Sequence, residues 1–361
     1  VIGNAYLSHG GYSAEAEKHF RAALAIRHRL YGDEHPKVAE SLHDLAVSIR
    51  YRPDDDGQEH MAMLRQALDM RRELLGEEHL DTLTSMCQLA GSLCDRVDPE
   101  AEVLYRKVLE GRRRVLGREH PQVAGALAGL GTYLDWTSRP AEALPFVQEA
   151  LAIRRKRLKK GHPSIASALT TLGGVHAGLG NLDDAERAYR EALKIYRKTY
   201  TDDHVYLLST PGHLGRVLLE KGEPEEAEPF LQEALRKIAA RAAKAGQSEG
   251  NRDEWARCRT QLARHQVFMG ACVSRLGRHA EAESFLLDAN SIMTDLLADS
   301  RAQNQPEVNW PRGLRKVLRE ARQRLVELYT AWGKPGAAAQ WKARLAEQGE
   351  EQDRPGTDRV K

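Results

Sequence analysis

Residues 159–205, KKGHPSIASALTTLGGVHAGLGNLDDAERAYREALKIYRKTYTDDHV, hold one complete turn of a pattern that runs through the chain. After His162 and its proline, apolar residues recur at helical spacings of three, four and seven, including Leu169 and Leu172. The spacing predicts a helix over Ile165–Gly180, a turn at Gly180-Asn181 and a second helix over Asp184–Thr199. The second helix opens on acidic residues and closes on arginine and lysine, an order that suits the helix dipole. The next histidine, His204, then starts the pattern again.

Working outward, the strings GDEHP, GEEHL, GREHP, KKGHP and TDDHV contain His35, His79, His120, His162 and His204, spaced by 44, 41, 42 and 42 residues. Other columns align on these histidines. Ten and eleven residues later stand Leu45-Ala46, Leu89-Ala90, Leu130-Gly131, Leu172-Gly173 and Leu214-Gly215; fifteen before stand Phe20, Leu64, Tyr105, Val147 and Tyr189. Proline after the histidine suits a first helical turn. Each repeat therefore reads as two amphipathic helices, and small residues such as Ala46, Gly131, Ala143 and Ala185 allow close helix approach. A pair of this kind buries its apolar face only by stacking on the next pair. The fold class is all-α, a helix-turn-helix solenoid.

Composition is consistent with that class. The 361 residues are 41% hydrophobic and 6% aromatic, with 54 basic against 52 acidic side chains. So even a balance argues against a chain-wide nucleic-acid binder. No run of 18 apolar residues is present, and the opening VIGNAYLSHGG lacks the basic start and apolar stretch of a signal peptide. Cys87 and Cys94 lie roughly 10 Å apart along one helix, too far for a disulfide. Cys258 and Cys272 are farther apart still, so free thiols in a reducing, cytoplasmic setting are expected.

The pattern resembles the tetratricopeptide repeat family: Leu130-Gly131 with Tyr133, then Ala143 and Val147, is an imperfect version of its signature. The period exceeds the usual 34 residues by about two helical turns. With His-Pro and Ala150-Leu151-Ala152-Ile153-Arg154, it is similar to the kinesin-light-chain type. The resemblance implies a right-handed superhelix of about seven and a half helix pairs. Regular repeats fill 1–245, divergent repeats 246–347 and a disordered tail 348–361. Further pairs are expected at Glu254–Leu276 with His279–Leu297 and at Pro311–Trp332 with Pro335–Glu347, with loops over Gly246–Asp253 and Asp299–Pro311. Ile2–His9 reads as half of a first helix, so the first repeat is expected to be truncated and the chain to be a fragment.

No catalytic motif is found: no Gly-x-x-x-x-Gly-Lys, His-Glu-x-x-His, Gly-x-Ser-x-Gly or Cys-x-x-Cys. No catalytic residue, metal or cofactor is assigned. Histidines one repeat apart are about 10 Å or more from each other and cannot share a zinc ion, so hydrogen bonding at helix starts is expected of them. The clusters Arg71-Arg72, Arg112–Arg114 and Arg154–Arg157 form a basic ridge, which nearby Glu77-Glu78 and Glu119 are expected to neutralise. Trp310, Trp332 and Trp341 are expected mostly to close the last core.

By resemblance, the first helices line a concave groove that binds peptides or proteins. Its residues fall eight, nine and twelve places after each marker: His43, Asp44 and Val47; Cys87, Gln88 and Gly91; Ala128, Gly129 and Thr132; Thr170, Thr171 and Gly174; Gly212, His213 and Arg216. Kinesin-light-chain repeats carry asparagines in the first two columns; none occurs here. Pro211, inside a first helix, is expected to kink it. The function that follows is a non-catalytic protein-interaction scaffold, with no nucleic acid and no membrane segment. The alternative rests on Arg324–Tyr329, Ala331–Pro335 and Ala338–Trp341, together with Ile2–Tyr6, which resemble the repeat region of bacterial serine/threonine protein kinases. The catalytic domain would then lie upstream of Val1.

Overall fold

The computed structural model describes residues 14–50, 52, 57–202, 204–246, 252–302 and 314–352. Among these, fifteen helices follow one another with no strand. The chain divides into two compact lobes, Val1–Thr199 and Tyr200–Lys361. The first lobe contains α1 (Ala14–Tyr31), α2 (Pro36–Ile49), α3 (Gln58–Leu75), α4 (Leu80–Asp95), α5 (Glu100–Leu116), α6 (Pro121–Trp136), α7 (Pro140–Arg157), α8 (Pro163–Gly178) and α9 (Leu182–Thr199). The second contains α10 (Val205–Lys221), α11 (Pro224–Gly246), α12 (Arg252–Arg275), α13 (His279–Ala302), α14 (Leu314–Ala331) and α15 (Pro335–Gln352).

Within each lobe every helix packs on its chain neighbours, and first helices of adjacent repeats also touch, as α6 does α8. The aligned columns are the core. Leu45, Leu89 and Leu130 are buried, as are Leu64, Tyr105, Val147 and Tyr189 from the second helices. Gly131 shows why its column is small, since a Cβ there would stand 2.4 Å from the Val147 side chain. The four cysteines are free thiols.

The five marker histidines all perform one local task. Each sits in extended backbone as the N-cap of a first helix, and its Nδ1 accepts the N–H two residues on: Lys37, Asp81, Gln122, Ser164 and Tyr206, at 3.1–3.3 Å. This satisfies a donor that a helix start otherwise leaves open. In the first lobe the carbonyl of the same capped residue receives an arginine from the preceding second helix. Arg27, Arg71, Arg112 and Arg154 donate to the carbonyls of Lys37, Asp81, Gln122 and Ser164 at 2.8–3.0 Å. Those arginines, eight residues before the markers, point inward rather than onto a ridge; Arg71 and Arg112 are buried. In the next repeat the position holds Tyr196, also buried.

Several details differ from the sequence expectation. α13 continues to Ala302 and α12 begins at Arg252, so Asp299–Ala302 and Arg252-Asp253 are helical rather than loop. Alanine and arginine in those stretches are good helix formers. α10 continues through the buried Pro211, which removes one backbone donor from its interior. Trp341 is buried; Trp332 is half-buried, with Lys334 Nζ 3.3 Å from its ring centre. Ile2–His9, Trp310 and residues 353–361 lie outside the described residues.

Because an asparagine oxygen can also accept at an N-cap, His120→Asn is expected to keep most of the stability. His120→Ala should lose about 1 kcal/mol, read as a lower urea midpoint by far-ultraviolet circular dichroism.

Candidate functional site

The predicted groove columns of the first lobe lie on its first helices, α2, α4, α6 and α8. His43 occupies a groove column but is only 8% exposed. Its Nδ1 lies 3.2 Å from Ser85 Oγ, and Arg71 donates to that same oxygen at 2.7 Å. With the serine oxygen taking the arginine proton, the serine O–H is left to donate to a neutral imidazole. Burial, then the Arg71 charge, pushes the His43 pKa down to about 4. His43 thus links α2 to α4 and presents little to a ligand.

The other predicted positions on this lobe are half-buried and accessible: Asp44, Val47, Cys87, Gln88, Thr132, Thr170 and Thr171. Burial, followed by the Glu40 charge, raises the Asp44 carboxyl above its usual range. Burial likewise pushes the Cys87 thiol up, opposed by Arg112, whose Nη1 is 3.6 Å from the sulfur. Thr170 and Thr171 turn their hydroxyls back onto the carbonyls of Ala166 and Ser167, at 3.0 and 3.3 Å. Their methyl groups and small volume, rather than free hydroxyls, are what they offer.

Two tyrosines on the second helices reach this face where a groove column is glycine. The Tyr105 hydroxyl stands 2.8 Å from where a Cβ on Gly129 would be and 3.5 Å from one on Gly91. The Tyr189 hydroxyl and Asp135 Oδ2 lie 3.6 and 3.2 Å from the corresponding point at Gly174. Arg50 Nη1 is 3.4 Å from the point at Gly91, and Arg50 is bonded to Asp95 at 2.6 Å. Tyr105, Tyr189, Arg50 and Asp135 are absent from the predicted set. The signal for them is glycine in the ninth or twelfth column together with tyrosine in the column fifteen before a marker.

In the second lobe His213 and Arg216 lie on α10, both half-buried. Arg216 donates to Glu220 at 2.5 Å. His213 is pushed down to about 3, chiefly by burial and then by Arg216, His265 and Arg264. His265 of α12 directs its Nε2 edge at Gly212, where a Cβ would be 2.0 Å from that nitrogen, and its Nδ1 donates to the Gln261 carbonyl at 2.8 Å. Burial and Arg264 hold its pKa down at about 4.

Exposed basic side chains beside the inward arginines are paired with carboxylates. Arg113 bonds to Glu149 and Arg155 to Glu191, each reaching the second helix of the next repeat, while Arg72 takes Glu77 and Lys156 takes Glu119. Part of the pairing is therefore between repeats, not within one. Exposed pairs of this kind contribute little each, but they use up the basic ridge. Among the described residues no three histidine, cysteine or carboxylate side chains gather as for a metal. No helix there is long and apolar enough to cross a membrane.

Stacked helix pairs, a glycine or alanine at each close approach and a first-helix inner face define a tandem-repeat scaffold that binds other proteins. Tetratricopeptide repeat models match residues 2–37, 38–81, 98–156 and 164–237. The chain belongs to the tetratricopeptide repeat family, whose repeats are non-catalytic interaction modules. Among solved structures it is similar to the apo form of RapI, at 12% identity over 86% of this chain and 97% of that one, TM-score 0.59. A Rap protein complexed with Competence and Sporulation Factor is similar at 13% identity over 92% and 86%, TM-score 0.50. The nearly identical kinesin-light-chain TPR-like repeats of Podosopora anserina are 25% identical over 60% and 100%, TM-score 0.47. The two Rap structures share the fold alone. No curated protein matches the chain significantly in sequence.

The depressed histidines give a signed pH dependence. An unfolded histidine takes its proton near pH 6.5, whereas His43 and His265 resist until about 4. Between those values the unfolded chain binds more protons, so stability falls on acidification, by up to about 1.4 kcal/mol per pH unit per histidine. Above 6.5 these groups contribute no slope. Urea midpoints measured from pH 7.5 to 4.5 should follow this course, with a flatter fall in His43→Gln.

Proposed function

We propose that the chain binds a peptide or protein partner along the inner faces of its first helices. The contacting positions are Asp44, Val47, Cys87, Gln88, Thr132, Thr170 and Thr171 on the first lobe and His213 and Arg216 on the second, with His43 supporting from beneath. One observation carries the reading. On α4, α6 and α8 the groove columns hold only small or slender side chains, and at Gly91, Gly129 and Gly174 the missing side chain admits Arg50, Tyr105, Tyr189 and Asp135 to the same face. A Rap protein of the same fold complexed with Competence and Sporulation Factor lends support at the level of fold. In this reading the regular repeats run to residue 245 and the divergent repeats over 246–347, each lobe presenting its own first-helix face. Free thiols accord with a reducing, cytoplasmic setting.

A second reading takes the chain as the interaction arm of a bacterial serine/threonine protein kinase. Its support is the resemblance carried by Arg324–Tyr329, Ala331–Pro335 and Ala338–Trp341, which fall at the end of α14, the turn after it and the start of α15, where Leu325, Leu328, Tyr329 and Trp341 are buried. The reading frame upstream of the Val1 codon decides it: kinase glycine-loop, His-Arg-Asp and Asp-Phe-Gly segments support it, and their absence rejects it.

The groove itself is tested by steric block. Peptides selected from a random library on the wild-type chain should bind Thr132→Arg and Thr171→Arg at least about tenfold more weakly, or 1.4 kcal/mol. Urea midpoints of both variants should stay near wild type. Equal binding by the variants would contradict the assignment.

A further inference from the structure

Pairing along the second helices leaves charge over beyond the ridge, and it leaves opposite signs in different repeats. The ten residues before His79 hold Asp69, Glu73, Glu77 and Glu78 against Arg71 and Arg72; the ten before His162 hold six basic side chains and no carboxylate. Arg71 is turned inward, Arg72 is shared between Asp69 and Glu77, and Glu78 is met by Arg114 of the next repeat. Glu73, exposed, has neither an ion pair nor a hydrogen bond from its side chain among the described residues, so the end of α3 is acidic outside. The end of α7 is the reverse. Lys156 and Arg157 share the single Glu119, while Lys159 and Lys160 on the loop that follows have no carboxylate among the described residues.

The two excesses cannot cancel within one molecule. Neighbouring second helices stand about 10 Å apart, so α3 and α7, with α5 between them, are separated by about 20 Å. That is more than twice the screening length of about 8 Å at physiological salt. Midway, the end of α5 exposes Val115, and the equivalent position of α3 exposes Leu74, at 46% and 43%. Beside Val115, an open cavity of about 500 Å³ lies between residues 116–121 and Arg157, with Leu116 and Pro121 in its wall. The edge thus runs from acidic through apolar to basic over three repeats.

A surface ordered in this way is complementary to itself. In a two-fold contact, whatever one copy offers the second, the second offers back. Turned over about a line along α5, a second copy lays the acidic end of its α3 on the basic end of α7 and receives the same in return. Val115 then faces its own counterpart, and Leu74 comes to the cavity beside Arg157. A head-to-tail contact would satisfy one excess and leave the other open at each end. The formal charge of the whole chain is only +2, so little long-range repulsion opposes the approach.

We propose that two copies of the chain associate as a two-fold dimer through the ends of α3, α5 and α7, with Asp69 and Glu73 of each copy against Lys159 and Lys160 of the other. This surface belongs to the second helices and is independent of the groove reading. Sedimentation equilibrium of the full chain tests it. A dimer mass is expected at about 0.05 M salt, and mostly monomer at about 0.5 M, where the screening length falls to about 4 Å. Asp69→Lys with Glu73→Lys, and separately Lys159→Glu with Lys160→Glu, should each raise the dimer Kd at least about tenfold. Both double variants should melt near wild type. Mixed in equal amounts they should form a heterodimer, because one contact is then restored as it was and the other with its signs exchanged. Oxidised Val115→Cys should cross-link to itself, which requires Cα atoms within about 7 Å, and wild type should not. A monomer at low salt, a dimer that neither double variant weakens, no heterodimer on mixing, or a Val115→Cys dimer that stays uncross-linked overturns the inference.

Discussion

The main chain of one residue per repeat organises the first lobe: that of the second residue after each marker histidine. Its N–H is held by the histidine Nδ1 and its carbonyl by an arginine from the preceding helix, as at Gln122 between His120 and Arg112. The histidine bond belongs to the start of a first helix, and the arginine bond ties that start to the second helix before it. Together they fix where one pair ends and the next begins, to within hydrogen-bond tolerance. The period of the array is the period of this joint.

The joint also explains how charge is distributed. Arg71 and Arg112 are buried without a carboxylate, because helix-start carbonyls accept from them instead. Arginines one place on, Arg72, Arg113 and Arg155, are left outside and meet glutamates there. Both sets of guanidinium groups are thereby consumed. Asp44, on α2, has no ion pair or hydrogen bond among the described residues.

Much of this was legible in the sequence. Histidine spacing and the apolar columns predict the helices, their pairing and the core, since periodic burial writes itself periodically into residue type. The histidine caps were legible too, because His-Pro at a helix start has few other uses. The arginine column was half legible: its residues stand out, but inward and outward neighbours differ by one position, or about 100° around the helix. His43 shows the limit for the site. Its column points to the groove, yet Ser85 and Arg71 draw it into the packing between α2 and α4. Tyr105 was hidden for the opposite reason. Its column is core in every repeat, and only a glycine on another helix, Gly129, lets its hydroxyl through.

The claim that the cap-and-clamp joint holds the repeats together is most directly tested by native-state hydrogen exchange. The amides of Lys37, Asp81, Gln122 and Ser164 are second residues of their helices, a position where amides have no partner within the helix. The account predicts that they exchange slowly, at rates close to those of the helix interiors that follow them, and that Arg112→Met speeds exchange at Gln122 and along the start of α6. Exchange at these four amides as fast as at an uncapped helix start would contradict it.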